Sequence, residues 1–479
     1  MNFGYKKMYI DGELVDAACG EKFDIICPAN EKPIASIAWA NPVDTERALV
    51  SAQKGFEFWS SLPLSERLVW IEKLRQQLIE NRDHLRMSIM YEMGKVWEGT
   101  DEDLTSIIKS LKYYSDEIQS RNDIVIDDME GNYTHKVVQQ PLGVVVAFLA
   151  YNFPLLNLGF KLGPALAAGC SIIIKPSEFS PLSAYIIGEL CHKIDFPKGV
   201  INVICGDVPT VGAPLCESTI PRLITMIGST ETAQKLIQQS SKTSIKRYSL
   251  ECGGNAPFIV FPDADIDQAI NIGAALKIGN SGQICVAANR FYIHESVIDA
   301  YCTGLVGKFK NVNIGFGKEN KPDMGPLANK QSVTKTKRII NEAISQGGQL
   351  IFSTEINTEK GYYHPLTAIR LENNEAEVLQ NEIFGPLALI VPFSTKEEVI
   401  ALANSTDAGL ASYIFSKNTD TINYFVDHLE FGEVQVNGVK YDIYLPHGGV
   451  KNSGIGVDCS IYALDDYLIK KRVSTALIQ

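Results

Sequence analysis

Three short segments of this 479-residue chain combine residue types that could do chemistry. In Asn280-Ser281-Gly282-Gln283-Ile284-Cys285-Val286-Ala287-Ala288-Asn289-Arg290, small residues flank a single thiol ahead of a strand. A thiolate attacks carbonyl carbon well, and glycine lets a substrate approach closely. The same pattern also suits a buried structural cysteine. In Leu250-Glu251-Cys252-Gly253-Gly254-Asn255-Ala256-Pro257, a glutamate sits between an apolar strand and two glycines, a poor place for a solvated face. A partly desolvated carboxyl there moves towards neutrality and can serve as a general base. A helix cap or a surface acid is the plainer reading. Cys252 is a rival thiol, but it lacks small residues on its N-terminal side. The third segment, Ile174-Lys175-Pro176-Ser177-Glu178, lies at the carboxyl end of an apolar strand, where open α/β sheets bind ligands. An acid at such a place accepts hydrogen bonds from ribose hydroxyls and repels a 2′-phosphate, and Lys175 could donate to the same ribose. Taken singly, both are ordinary surface charges.

Common signatures are absent. There is no GxxxxGKS/T phosphate loop, no GxSxG, and no GxGxxG fingerprint, so a dinucleotide would bind without the usual Rossmann glycines. His294-Glu295 starts like HExxH but has no second histidine. Asp263, Asp265 and Asp267 mimic the start of a calcium loop, yet Gln268 and Ala274 stand where glycine and glutamate are needed. These aspartates suit a helix start instead. No CxxC occurs and no Cys/His cluster has zinc spacing, so no metal is expected.

The elements that must position these residues come from a chain of ordinary globular composition, 45% hydrophobic and 21% charged. That excludes a disordered or collagen-like chain, and the length allows two or three domains. A net charge of −12 argues against nucleic-acid binding. Ten scattered cysteines suit a reducing compartment, and the first residues reach Asp11 before any long apolar run. A cytoplasmic protein is expected, so the glycosylation patterns at Asn132 and Asn404 carry no weight. Twenty uncharged residues between Gln140 and Lys161 are long enough to cross a bilayer. Asn152, Pro154, Asn157 and Gly159 break that stretch into a buried strand, a turn and a buried helix, and no membrane association is expected.

Short strands are predicted over the first 40 residues, then helices from Asn41 to about Arg121. From Leu142 the texture is α/β, with apolar strands at 142–149, 171–174, 200–204, 223–227 and 257–261 and helices such as 181–193 and 232–240. Continuous Ile/Val runs between helices mark parallel strands buried on both faces. A second α/β series runs through 291–295, 297–309, 367–370, 387–393 and 396–405, and the tail reads as a strand. The best internal boundary falls near 252–262.

In this order, the segments resemble the NAD(P)-dependent aldehyde dehydrogenase superfamily over nearly the whole chain. The match includes Tyr151-Asn152-Phe153-Pro154-Leu155 followed by LGPALAAGC, Ile174–Glu178, Gly228-Ser229-Thr230-Glu231, Leu250–Gly254, Gly282–Cys285, Glu382-Ile383-Phe384-Gly385-Pro386 and Gly448–Gly454. The resemblance implies an α/β fold: a Rossmann-like cofactor domain (1–121 and 141–251), a catalytic domain (252–461) and a small β oligomerisation arm (122–140 and 462–479). It implies a homodimer or homotetramer.

By the same resemblance, Cys285 is the nucleophile, Glu251 the base, and Asn152, with the Cys285 backbone N–H, the holder of the oxyanion. Lys175, counted with the catalytic set, and Glu178 would bind the adenosine ribose. Gly228 and Ser229 would pack on the pyrophosphate, and Glu382 and Phe384 would hold the nicotinamide ribose and ring. The carboxylate at 178 favours NAD, with NADP the weaker cofactor. Three departures stand out. Ala233 replaces the glycine that usually ends the phosphate segment, and Val208 follows Cys205-Gly206-Asp207 where many members have a second glycine. His447 stands where an aromatic residue is common. A polar substrate loop at His447 and Tyr441 suits a small hydroxylated aldehyde, which points to the lactaldehyde and glycolaldehyde branch; a packed loop histidine is the plain alternative. Three readings compete with this: a semialdehyde dehydrogenase, a CoA-acylating enzyme, which the presence of Glu251 disfavours, and a catalytically silent scaffold.

Overall fold

A computed structural model describes residues 1–477. Two large sheets divide the chain. The first has eight strands, in the order Gly454–Ile455, Arg247–Glu251, Pro221–Ile227, Val144–Phe148, Ser171–Lys175, Ile201–Val203, Met8–Ile10 and Glu13–Val15. Its five middle strands, from Arg247–Glu251 to Ile201–Val203, are parallel. Val144–Phe148 and Ser171–Lys175 are buried at every position. Their β-branched runs fit a pleated sheet covered on both faces. The second sheet has seven strands: Gln349–Ser353, Thr367–Arg370, Leu387–Phe393, Ala288–His294, Ala256–Val260, Ala411–Phe415 and Glu433–Val436. All its pairings are parallel except the edge pair made by Gln349–Ser353.

The uncharged stretch after Gln140 forms the strand Val144–Phe148, a turn, and the helix Pro154–Ala168. Among the described residues no helix is long and apolar enough to cross a membrane. Pro154 sits in the first turn, where its missing N–H costs nothing. The helix packs so closely on Trp97–Ser120 that a Cβ at Gly159 would lie 2.7 Å from the Ile107 backbone.

The chain leaves the first sheet at Glu251 and enters the second at Ala256. It later crosses back, because Gly454–Ile455 pairs antiparallel with Leu250–Glu251. A third, three-stranded sheet joins Ile124–Ile126, Tyr133–Pro141 and Leu468–Ala476. Of the segments expected to form an arm, residues 478 and 479 lie outside the described residues.

Candidate active site

Cys285 sits in the loop between the helix Ile266–Ile278 and the strand Ala288–His294. Three residues before it take left-handed backbone: Asn280 (φ 47°), Ser281 (φ 55°) and Gly282 (φ 70°). For Asn280 and Ser281 this costs about 1–3 kcal/mol each, so the surroundings must hold the loop. Glycine is needed at 282, since a Cβ there would lie 2.2 Å from the Gly385 carbonyl. The polar side chains of the loop supply the restraint. Asn280 Nδ2 donates to the Asn152 carbonyl at 3.0 Å and to the Gln283 carbonyl at 3.1 Å. Ser281 Oγ donates to the Gly325 carbonyl at 2.7 Å. Buried Gln283 bridges the Asn280 carbonyl and the Ala328 N–H, each at 3.0 Å.

Asn152 belongs to the same network. Its Nδ2 donates to the Gln283 carbonyl at 3.0 Å and its Oδ1 accepts from Asn157 at 3.2 Å. An amide nitrogen carries two hydrogens, so one donor remains for a ligand. The helix after Asn152 has no cap from its own N-cap residue. Asp103 takes that role from a neighbouring helix, accepting from Leu155 N–H at 2.8 Å and Leu156 N–H at 2.6 Å. Lys95 pairs with Asp103 at 2.6 Å, both buried.

Cys285, Asn152, Tyr441 and His447 line one cavity of about 710 Å³. Tyr413, behind its wall, donates to the Val286 carbonyl at 2.6 Å and lies 3.1 Å from the Tyr441 hydroxyl. His447 Nδ1 lies 2.6 Å from Glu433 Oε1. Burial opposes a charged imidazole there, but the nearby Cys285 side chain, the hydrogen bond to Glu433 and the charges of Glu433 and Glu251 outweigh it. His447 is therefore held well above the usual imidazole range. Both Tyr441 and His447 thus lie in the wall of the cavity that holds Cys285.

Glu251 ends its strand just behind that histidine. A Cβ at Gly448 would lie 3.4 Å from Glu251 Oε1. The side chain is buried, and neither carboxyl oxygen has a hydrogen-bond partner. Burial pushes its carboxyl well above the usual range, with His447 and Lys161 pulling it back and Asp458 and Glu433 adding to the rise. Lys161 and Asp458 form a buried pair at 2.6 Å. The rival Cys252 is buried outside the cavity lining, its thiol pushed up to about 12 chiefly by burial.

The residues expected to hold a dinucleotide gather along one edge of the first sheet. Strand register aligns Lys175 with Phe148, Phe148 with Met226, and Ile227 with Glu251. Three inter-strand steps, about 14 Å, therefore separate Lys175 from Glu251. Gly228 N–H donates to the Glu251 carbonyl at 2.9 Å. Ser229 caps the helix Thr230–Ser240, accepting from Thr232 N–H at 3.2 Å, so a helix N-terminus opens on this edge. Glu382 accepts from Gly254 N–H at 3.2 Å, next to Glu251 in the chain. Phe384, at φ 53°, packs edge-on to Tyr151 at 5.9 Å. Lys175 is buried and Glu178 exposed; neither lines the Cys285 cavity. The strand ends thus carry Lys175 at one side, a helix N-terminus in the middle and Glu251 at the other. Glu433, Tyr413, Asn157 and the Lys161–Asp458 pair were not singled out from the sequence.

The chain is similar to known proteins over nearly its whole length. The sequence profile of the aldehyde dehydrogenase family matches residues 15–473. A mitochondrial succinate-semialdehyde dehydrogenase of Oryza sativa is 36% identical over 465 residues, covering 97% of this chain and 88% of that protein. A glutarate-semialdehyde dehydrogenase of Pseudomonas putida is 34% identical, covering 97% and 96%. The crystal structure of an NADP-dependent enzyme of E. coli superposes with a TM-score of 0.96 at 33% identity, over 99% of this chain and 98% of that one.

Proposed function

The chain belongs to the aldehyde dehydrogenase family as an NAD(P)-dependent oxidoreductase, and from that premise we propose that it oxidises a short polar aldehyde through Cys285. The observation that carries the proposal is the cavity in which Cys285 shares a wall with the free amide hydrogen of Asn152. The Cys285 thiolate adds to the aldehyde carbon, and the resulting oxyanion lies against Asn152 and the Cys285 backbone N–H. The dinucleotide, when bound, accepts the hydride. Glu251 then takes a proton from the water that attacks the thioester, and the carboxylic acid leaves. Lys175, Glu178, Gly228, Ser229, Glu382 and Phe384 are the residues proposed to hold the dinucleotide. We keep NAD as the preferred form, since a 2′-phosphate would meet the Glu178 carboxylate as a like charge. Because the E. coli neighbour is NADP-dependent, the test is direct: comparable kcat/KM with NADP overturns the preference.

The relatives favour a semialdehyde over the small hydroxyaldehyde expected from the sequence. The cavity mouth supports that class. Lys109 and Lys440 share one partner, Asp442, at 3.3 and 3.5 Å. Exposed pairs of this kind contribute about 0–1 kcal/mol, so a substrate carboxylate can exchange for Asp442. A hydroxyaldehyde keeps a claim from the hydroxyl of Tyr441 and the imidazole of His447 at the inner end. NAD(P)H formation with succinic and glutaric semialdehyde against lactaldehyde and glycolaldehyde decides between them. A preference for the neutral pair returns the reading to the hydroxyaldehyde branch.

The two sheets support the division into a cofactor-binding domain and a catalytic domain. The third sheet exposes Ile124, Val125, Ile126 and Val473, a surface suited to pairing copies in a homodimer or homotetramer. Light scattering on the purified protein checks this; a monomer refutes it. Ten free thiols support a reducing compartment such as the cytoplasm.

A further inference from the structure

The helix that follows Asn152 delegates its own start. Its N-cap position is Phe153, which makes no side-chain cap and instead lines the cavity shared by Cys285 and Asn152. A short polar side chain is the usual choice there. The N–H groups of Leu155 and Leu156 are left to Asp103, whose Oδ1 accepts both, at 2.8 and 2.6 Å. Lys95 reaches both parts of this start. Its ammonium pairs with Asp103 Oδ2 at 2.6 Å and lies 3.3 Å from the centre of the Phe153 ring. The pair is enclosed, with side-chain exposures of 2% for Lys95 and 0% for Asp103.

The first turn of the helix passes this restraint to Asn152. Asn157 N–H donates to the Phe153 carbonyl at 2.9 Å. Asn157 Nδ2 donates to Asn152 Oδ1 and to the Ala150 carbonyl, each at 3.2 Å. The Asn152 amide therefore stands where that turn stands. The segment that carries Lys95 also backs onto the support of the Cys285 loop. Gly94, at φ 79°, ends the helix Arg82–Met93 just before Lys95. A Cβ at Gly325 would lie 2.1 Å from the Gly94 carbonyl oxygen, and the Gly325 carbonyl is the acceptor for Ser281 Oγ. Gly94 and Lys95 thus touch the props of the amide on one side and of the thiol loop on the other.

A buried ion pair adds little net stability over apolar residues of the same shape, because both charges are desolvated. We propose that Lys95 and Asp103 are positioning residues for the oxyanion, holding the Asn152 amide in register with Cys285. Neither residue lines the cavity, so both act through Asn152 and its helix. The proposal rests on Asn152 being the donor to the oxyanion. A shift of about 1 Å in such a donor can cost about 10²-fold in rate.

The test is a double-mutant cycle between Asp103 and Asn152 in the full-length protein. The readout is the pre-steady-state rate of NAD(P)H formation with whichever of the four aldehydes above turns over fastest. Asp103→Ala is expected to lower that rate by about 10–10²-fold. The half-saturating aldehyde concentration should change by less than about threefold. Asp103→Asn keeps an acceptor for the two N–H groups but offers Lys95 no charge. It should fall between wild type and Asp103→Ala, and it carries the cycle if Asp103→Ala does not fold. In Asn152→Ala, either change at 103 should cost no more than about a further twofold, because the donor it places is gone. Losses that multiply across the two positions, or an Asp103→Ala rate equal to wild type, overturn the proposal. An Asn152→Ala rate equal to wild type removes the oxyanion reading, and this proposal with it.

Discussion

The thiol side and the carboxylate side of this site are built in opposite ways. Around Cys285, strained backbone at Asn280 and Ser281 is held by hydrogen bonds from Asn152, Asn280, Ser281 and Gln283. Around Glu251, two buried carboxyl oxygens have no partner at all. An unsatisfied buried acid is costly, whereas a fully bonded loop is not. The difference suits the two tasks proposed for these residues. A nucleophile and its oxyanion donor must be in place before the substrate arrives. A base that activates a later water must keep its oxygens open.

Four substitutions probe that contrast. Cys285→Ala is expected to lower kcat by about 10^4-fold or more, read as NAD(P)H formation. Glu251→Gln should lower steady-state turnover by about 10²–10⁴-fold yet leave the first burst of NAD(P)H intact. Because burial holds this carboxyl protonated at lower pH, wild-type kcat should rise as pH increases and the base form appears. That limb should vanish in Glu251→Gln; loss of the burst as well would place Glu251 on the thiol side of the chemistry. Asn152→Ala should cost about 10²–10³-fold in kcat. Its burst should slow with it, and a normal burst would show that Asn152 only supports the loop. Lys440→Gln should raise KM for a semialdehyde by no more than about sixfold. KM for a neutral aldehyde should not change; an equal rise for both would remove the mouth from substrate selection.

Much of this was readable before any coordinates. The parallel strands stood out because runs such as SIIIK and VVVAF are buried on both faces and need no partner to be recognised. Cys285 and Glu251 stood out because a thiol and an acid sit among glycines and small residues in short contiguous segments, whereas Asn152 entered only through the family resemblance. Glu433 was not: it lies on a strand 14 residues before His447, in a segment with no local pattern, and only folding brings the two together. The Lys161–Asp458 pair, separated by 297 positions, is hidden for the same reason. The edge strand Gln349–Ser353 was missed because its exposed positions carry no continuous apolar run. The preference for a hydroxyaldehyde rested on His447 as a substrate contact. The structure instead engages that ring with Glu433, which weakens the inference at its source.

The return strand Gly454–Ile455 has a wider consequence. It hydrogen-bonds along Leu250–Glu251, while a few residues away the segment around His447 is stitched to Asp458. The stretch of chain proposed to select the substrate is thus mechanically tethered to the acid proposed to act as base. Exchanging this loop to retune selectivity would also disturb product release from sulfur, so the two properties would have to evolve together.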